Sequence, residues 1–88
     1  MNRLLDLSNI GQVLEKRLHE VEIHTIQQLK TLGAKNAFLR IQRMDSTACL
    51  HILYALEGAI QGVRYTQITE NKKQELKMFY KNSGQGVV

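Results

Sequence analysis

The sequence contains no proline and no tryptophan, and its single cysteine is Cys49. One cysteine excludes an internal disulfide and is typical of a reducing compartment. No apolar run approaches the length of a membrane span. Residues 1–6 are too short, and too soon interrupted by Asp6, to act as a signal peptide. These absences predict a soluble, cytoplasmic protein without a membrane segment.

Charge of one sign is not concentrated anywhere in the chain. Lysine and arginine number 12 against 8 aspartate and glutamate residues, which gives a net charge of +4. This balance permits a polyanion partner without requiring one. A chain of 88 residues forms one domain, and a domain of this size buries only about 60–65% of its unfolded surface. Association with a protein partner or a second copy would therefore add stability.

Apolar residues recur at helical rather than alternating spacing, so we predict an all-α domain of about five helices. The first helix, over residues 11–21, buries one apolar stripe and exposes Glu15. A second short helix ends at Gly33 and begins with a capping box formed by Thr25 and Gln28. A third is predicted over residues 34–44, with Met44 on its apolar face.

The fourth helix is predicted over residues 47–61, where the apolar arc is too wide for a surface helix. It should be the central helix, with Cys49 in the core and Asp45 or Ser46 as its cap. Thr69 caps a last helix. The domain is then expected to span residues 1–82, with residues 83–88 as a flexible tail.

One side of the central helix carries a strip of little side-chain bulk. The strip comprises His51, Ala55, Gly58 and Gly62. Small residues allow close backbone approach, which favours packing of another helix of the same chain over a self-association surface. Glu57 lies at the edge of the apolar arc of the central helix, and a structural ion pair with Arg64 is a more common role for such an acid than catalysis.

Residues 7–21 and 23–32 form the first half of the predicted domain, and this half resembles a helix-hairpin-helix or SAM-like unit. The helix-hairpin-helix is a small module that holds nucleic-acid backbone. Such units carry glycine on both sides of a hydrophobic residue, whereas here only the second glycine is present. Backbone N–H groups at a helix start can meet a phosphate, and nearby cations add attraction. The candidate DNA-backbone residues are Asn9, Ile10, Gly11, Lys16, Arg17, Lys30 and Lys35. Such contacts would not read base sequence.

Residue types that carry catalysis or bind metals do not converge in the sequence. Cys49 and His51 point about 200° apart on a helix, so they cannot share one ion. His19 and His24 lie near a helix end and a cap, where solvent-facing roles are usual. No serine, histidine and acid set indicates a triad. We expect no catalytic residue, no metal, no cofactor and no small-molecule substrate.

Four segments of the sequence form a recognisable set: Leu7-Ser-Asn-Ile-Gly11, Leu32-Gly-Ala34, Tyr54-Ala-Leu-Glu-Gly-Ala59 and Gly62-Val-Arg64. Together they resemble the C-terminal domain of the TfoX (Sxy) competence-regulator family. Ser8 stands where the family usually has proline, which leaves the hairpin less rigid. Longer members have an additional N-terminal domain. The resemblance implies a stand-alone C-terminal domain, to which the regulatory activity of full-length members need not transfer.

Two functions therefore remain open from the sequence. The first is a non-enzymatic accessory or regulatory domain that acts through protein contacts, with competence regulation as the process and homodimerisation as one form of contact. The second is sequence-independent binding of the DNA backbone through the hairpin at Gly11.

Overall fold

The fold is built from five α-helices. The computed structural model describes residues 4–85, and no β-strand occurs in that range. The helices are α1 (Gln12–Glu20), α2 (Ile26–Leu32), α3 (Ala34–Met44), α4 (Leu50–Gln61) and α5 (Glu70–Gln85). Short 3-10 helices lie at Leu4–Asp6 and Tyr65–Gln67. The all-α prediction is confirmed. None of the helices in residues 4–85 has the length and apolarity to cross a membrane.

The boundaries of α2 and α3 follow from local chemistry. The Thr25 hydroxyl accepts a hydrogen bond from the Gln28 N–H at 3.0 Å, and the Gln28 side chain accepts from the Thr25 N–H at 3.1 Å. This is the predicted capping box, which satisfies two backbone donors that a helix start leaves unpaired. Gly33 separates α2 from α3 at a φ of +89°, a backbone conformation that residues with a Cβ rarely adopt.

Helix α4 lies at the centre of the domain and packs against α3 and α5. Its Leu53 and Leu56 are fully buried, together with Phe38 from α3 and Leu76 from α5. The ring of Phe38 meets Tyr80 of α5 edge to face, with centroids 5.8 Å apart. The core thus joins the last three helices through large apolar side chains.

Several sequence predictions need correction. Helix α4 begins at Leu50, three residues later than predicted, because neither Asp45 nor Ser46 is its cap. Cys49 occupies the N-cap position and is exposed. Met44 is 59% exposed, whereas Glu15 of α1 is only 8% exposed. Met44 was predicted on the apolar face of its helix but is exposed, and Glu15 was predicted to be exposed but is buried.

The predicted tail begins too early. Helix α5 continues to Gln85, so residues 83–85, placed in the tail by the sequence, are helical. The predicted tail's last three residues, 86–88, lie outside the described part of the chain.

Candidate functional site

The hairpin before α1 is held by the side chain of Asn9. Its Nδ2 donates a hydrogen bond to the Val63 carbonyl at 2.9 Å, and its Oδ1 accepts one from the Tyr65 N–H at 3.0 Å. Asn9 has a φ of +72°, which asparagine tolerates better than most residues. The amide is therefore a structural lock between the hairpin and the segment that follows α4.

The other two hairpin residues have different surroundings. Ile10 is 4% exposed and belongs to the core. Gly11 is the N-cap of α1, has no side-chain cap, and has open space where a Cβ would lie. Of the three residues predicted to bind phosphate, only Gly11 thus presents its backbone to solvent without another structural role.

Two of the four predicted DNA-contacting cations are ion-paired. Arg17 pairs with Asp45, which also accepts hydrogen bonds from the Thr47 hydroxyl and N–H. The Thr47 hydrogen bonds, with a smaller contribution from Arg17, lower the pKa of Asp45 below its usual value. These contacts tie α1 to the connection between α3 and α4.

The second paired cation is Lys35 of α3. Its Nζ lies 2.6 Å from Oε2 of Glu75 on α5 and 5.5 Å from the centroid of the Phe79 ring. Hydrogen bonds from Lys35 and then Lys72 lower the pKa of Glu75. The remaining two cations, Lys16 and Lys30, are exposed. The predicted footprint is therefore divided between two structural ion pairs and two solvated lysines.

The strip of small residues on α4 is contacted by a loop of the same chain. A Cβ on Gly58 would lie 2.5 Å from Asn9 Nδ2 and 2.8 Å from the Val63 carbonyl oxygen. Ala55 is buried, while exposed His51 meets the Tyr65 ring edge to face at 4.7 Å. Gly62 ends the helix at a φ of +79°. At Gly58 the close approach is thus made by a side chain and loop backbone, not by another helix.

The predicted ion pair between Glu57 and Arg64 is replaced by a different contact. Glu57 Oε2 accepts a hydrogen bond from Gln61 Nε2 at 2.6 Å, one turn further along α4. Glu57 and Arg64 do not form an ion pair in the described part of the chain. The Glu57 carboxylate therefore has a hydrogen-bond partner within α4 and does not tie the helix to the turn that follows it.

An open groove of about 440 Å³ lies between the start of α1 and α4. Its apolar lining includes Leu14, Ile52 and Ala55. Val13, also in the lining, is 73% exposed. The remaining lining residues are Gly11 and the polar residues Asn9, Gln12, Arg17 and His51. Sequence analysis missed this groove because Val13 lies outside the apolar stripe of α1.

Comparison with known proteins identifies relatives over most of this fold. The profile of the TfoX C-terminal domain family matches residues 1–80. Protein Sxy of Escherichia coli is 40% identical over 74 residues, and the DNA transformation protein TfoX of Haemophilus influenzae is 30% identical over 76 residues. The matches cover 84% and 86% of this chain but only 35% of each relative.

Two solved structures from Listeria monocytogenes share the fold. An uncharacterized protein in a triclinic crystal form is 50% identical, with a TM-score of 0.90 and coverage of 91% of both chains. A protein of unknown function in a tetragonal form is 51% identical, with a TM-score of 0.88 and coverage of 90% of this chain and 96% of that one. The family match over residues 1–80 confirms the resemblance found in the sequence, and this chain belongs to the TfoX C-terminal domain family.

Proposed function

We propose that this chain is a non-enzymatic regulatory domain that binds another protein in the control of DNA transformation. Family membership supports a regulatory role, and the name of the Haemophilus influenzae relative supports the process. This chain spans only 35% of the length of that relative. Extending the relative's activity to this chain is therefore itself part of the proposal.

The observation that carries the proposal is the groove beside Val13. A single exposed valine is ordinary on a protein surface, but this one borders an open groove with an apolar lining. The charge of Arg17 at the groove is already balanced by Asp45. An uncharged partner segment that inserts one apolar side chain fits such a lining better than a phosphate does, because desolvating an apolar group is favourable.

The alternative function is sequence-independent binding of the DNA backbone. It is supported by the open space at Gly11, by the unpaired N–H groups that begin α1, and by exposed Lys16. It is weakened by the structural roles of Asn9 and Ile10, which reduce the hairpin's available donors. We therefore place protein binding first.

The two functions can be separated with a chimera of Haemophilus influenzae TfoX. Its segment matched by this chain is replaced by the corresponding residues of this chain, and transformation frequency is measured. We expect the chimera to be active and Val13→Asp to lower its activity by more than about tenfold, because the aspartate places a charge against the apolar contact. Lys16→Ala serves as the matched control and should leave activity unchanged, because Lys16 is exposed, belongs to the candidate DNA-backbone residues and does not line the groove. Circular dichroism checks that both variants fold.

A direct DNA-binding measurement complements the chimera. Fluorescence anisotropy of a labelled random-sequence duplex is recorded with the isolated chain at low and near-physiological salt. We expect no binding at the higher salt, since scattered solvated lysines give only a weak, salt-sensitive attraction. Binding that persists there and is lost in Gly11→Val would favour the hairpin function instead.

A further inference from the structure

A second concave surface adjoins the groove beside Val13. It is a polar pocket of about 390 Å³ lined by Ser8, Asn9, Arg64, Tyr65 and Thr66. Asn9 lines both the groove and the polar pocket. His51 of the groove meets Tyr65 of the polar pocket edge to face, with ring centroids 4.7 Å apart. The two concavities are therefore immediate neighbours, separated by these three side chains.

The two concavities differ in charge. Arg17 of the groove is paired with Asp45, whereas no carboxylate among the described residues pairs with Arg64. Arg64 is exposed, and an arginine guanidinium stays charged at neutral pH. The Ser8 and Thr66 hydroxyls add groups that can donate hydrogen bonds. The polar pocket thus offers a cation and hydroxyl donors to an anionic group.

The fold holds the polar pocket in place through the Asn9 amide. Its hydrogen bonds with the Val63 carbonyl and the Tyr65 N–H fasten the hairpin to the segment that contains Arg64. The Gln67 side chain accepts a hydrogen bond from the Arg64 N–H at 3.1 Å, which fixes the backbone at this position. The backbone of Arg64 is therefore anchored, while its exposed guanidinium is accessible to a ligand.

We infer that the partner segment bound at the groove beside Val13 carries an acidic side chain close to its apolar one, and that Arg64 binds this carboxylate. The inference rests on the function proposed above, since it extends the same surface. The part of the partner inside the groove is uncharged, and the acidic residue lies beyond Asn9, in the polar pocket. Arginine binds carboxylates through paired N–H donors in a fixed plane, so Arg64 would recognise both charge and geometry.

An acidic protein segment fits this surface better than a nucleic-acid backbone does. Nucleic-acid binding depends on several cations that neutralise successive phosphates, but of the two arginines that line the concavities only Arg64 has no ion-pair partner among the described residues. The neighbouring apolar lining of Leu14, Ile52 and Ala55 offers nothing to a phosphate. In an extended peptide, residues i and i+2 point to the same side. An apolar and an acidic residue separated by one position therefore form the simplest segment that meets both concavities.

NMR titration with two capped tripeptides tests this inference. Acetyl-Leu-Gly-Glu-amide carries an apolar and an acidic side chain on one side of an extended chain, and acetyl-Leu-Gly-Gln-amide differs from it only in lacking the charge. We expect both peptides to shift the amide signals of Val13 and Ile52 in the ¹⁵N-labelled chain. The glutamate peptide should bind about two- to fivefold more tightly at low salt, which is the range of an exposed ion pair. Arg64→Gln should remove this preference.

Arg43→Gln is the matched control, because Arg43 is also exposed, has no ion pair among the described residues and lines neither concavity. It should keep the preference for the glutamate peptide. Equal binding of the two peptides by the parent would overturn the inference, and would leave the proposed function standing if both still shift the groove signals. An equal loss of preference in Arg43→Gln and Arg64→Gln would also overturn it, as a general effect of net charge. Binding of neither peptide would contradict both the inference and the proposed use of the groove.

Discussion

Asn9 shows how one side chain can serve a role that its sequence context does not reveal. The hairpin position suggested a ligand contact. Instead, the nitrogen and the oxygen of the side-chain amide each form a hydrogen bond with the backbone after α4, 54 and 56 positions away. No local spacing rule relates residues so far apart. Asparagine also suits the left-handed backbone conformation at this position, because its short polar side chain makes a positive φ accessible.

Asn9→Ala should lower the free energy of unfolding by about 2–5 kcal/mol. Two hydrogen bonds contribute about 0.5–1.5 kcal/mol each, and alanine at a positive φ costs about 1–2 kcal/mol more. Asn9→Gly loses the same bonds without the backbone cost, so it should be the less destabilised variant. Urea denaturation measures both. Equal stability of the two variants would show that alanine pays no free-energy cost for the positive φ at this position.

Gly58→Ala should destabilise the domain by about 1–3 kcal/mol, as overpacking does. The added Cβ would meet both the movable Asn9 amide and the Val63 carbonyl, and the latter is backbone that cannot turn away. Gly11→Ala is the control, because nothing lies within 4 Å of its added Cβ. Thermal unfolding compares them. Sedimentation of both variants should match the parent, and dissociation of a dimer by Gly58→Ala would instead support an interface at this strip.

At the scale of the element, helix starts that depend on neighbours in sequence were predicted well. The capping box at Thr25 and the break at Gly33 use residues within one turn of each other. The start of α4 was not predicted, because Asp45 is engaged by Arg17 of α1 and by Thr47. With that carboxylate turned toward α1, the chain remains non-helical until Cys49, and the cysteine is left exposed.

Asp45→Asn should lower the unfolding midpoint at neutral pH, and the difference from the parent should disappear in acid. Because the folded-state pKa of Asp45 lies below its unfolded value, the contribution is present above about pH 4 and is lost as pH falls through the folded-state pKa. Thermal unfolding from pH 7 to pH 2 measures it. A difference that stays constant over that range would contradict the assigned role of the charge.

For the whole molecule, the apolar pattern identified the helices, but the functional surfaces depend on how those helices meet. The groove beside Val13 combines residues of α1 and α4 with Asn9 and Gly11 from the hairpin before α1. Helical periodicity describes one element at a time, so it cannot place such residues side by side.

Phe38→Ala should cost about 3–5 kcal/mol, a large part of the 5–15 kcal/mol that stabilises an ordinary domain. Phe38 of α3 is fully buried, and its ring contacts Tyr80 of α5. Phe38→Leu keeps most of the apolar volume and should lose much less. Circular dichroism during urea titration measures both changes. A small effect of Phe38→Ala would mean that the core can close around the missing ring.

The Asn9 lock also has a kinetic consequence. It joins positions 54 and 56 residues apart, and closing a long loop is entropically unfavourable until other contacts hold its ends together. We therefore expect the lock to form after the transition state for folding. Asn9→Ala should then leave the refolding rate nearly unchanged and speed unfolding, since interactions absent from the transition state act mainly on the unfolding rate. This one amide would govern how long each molecule stays folded.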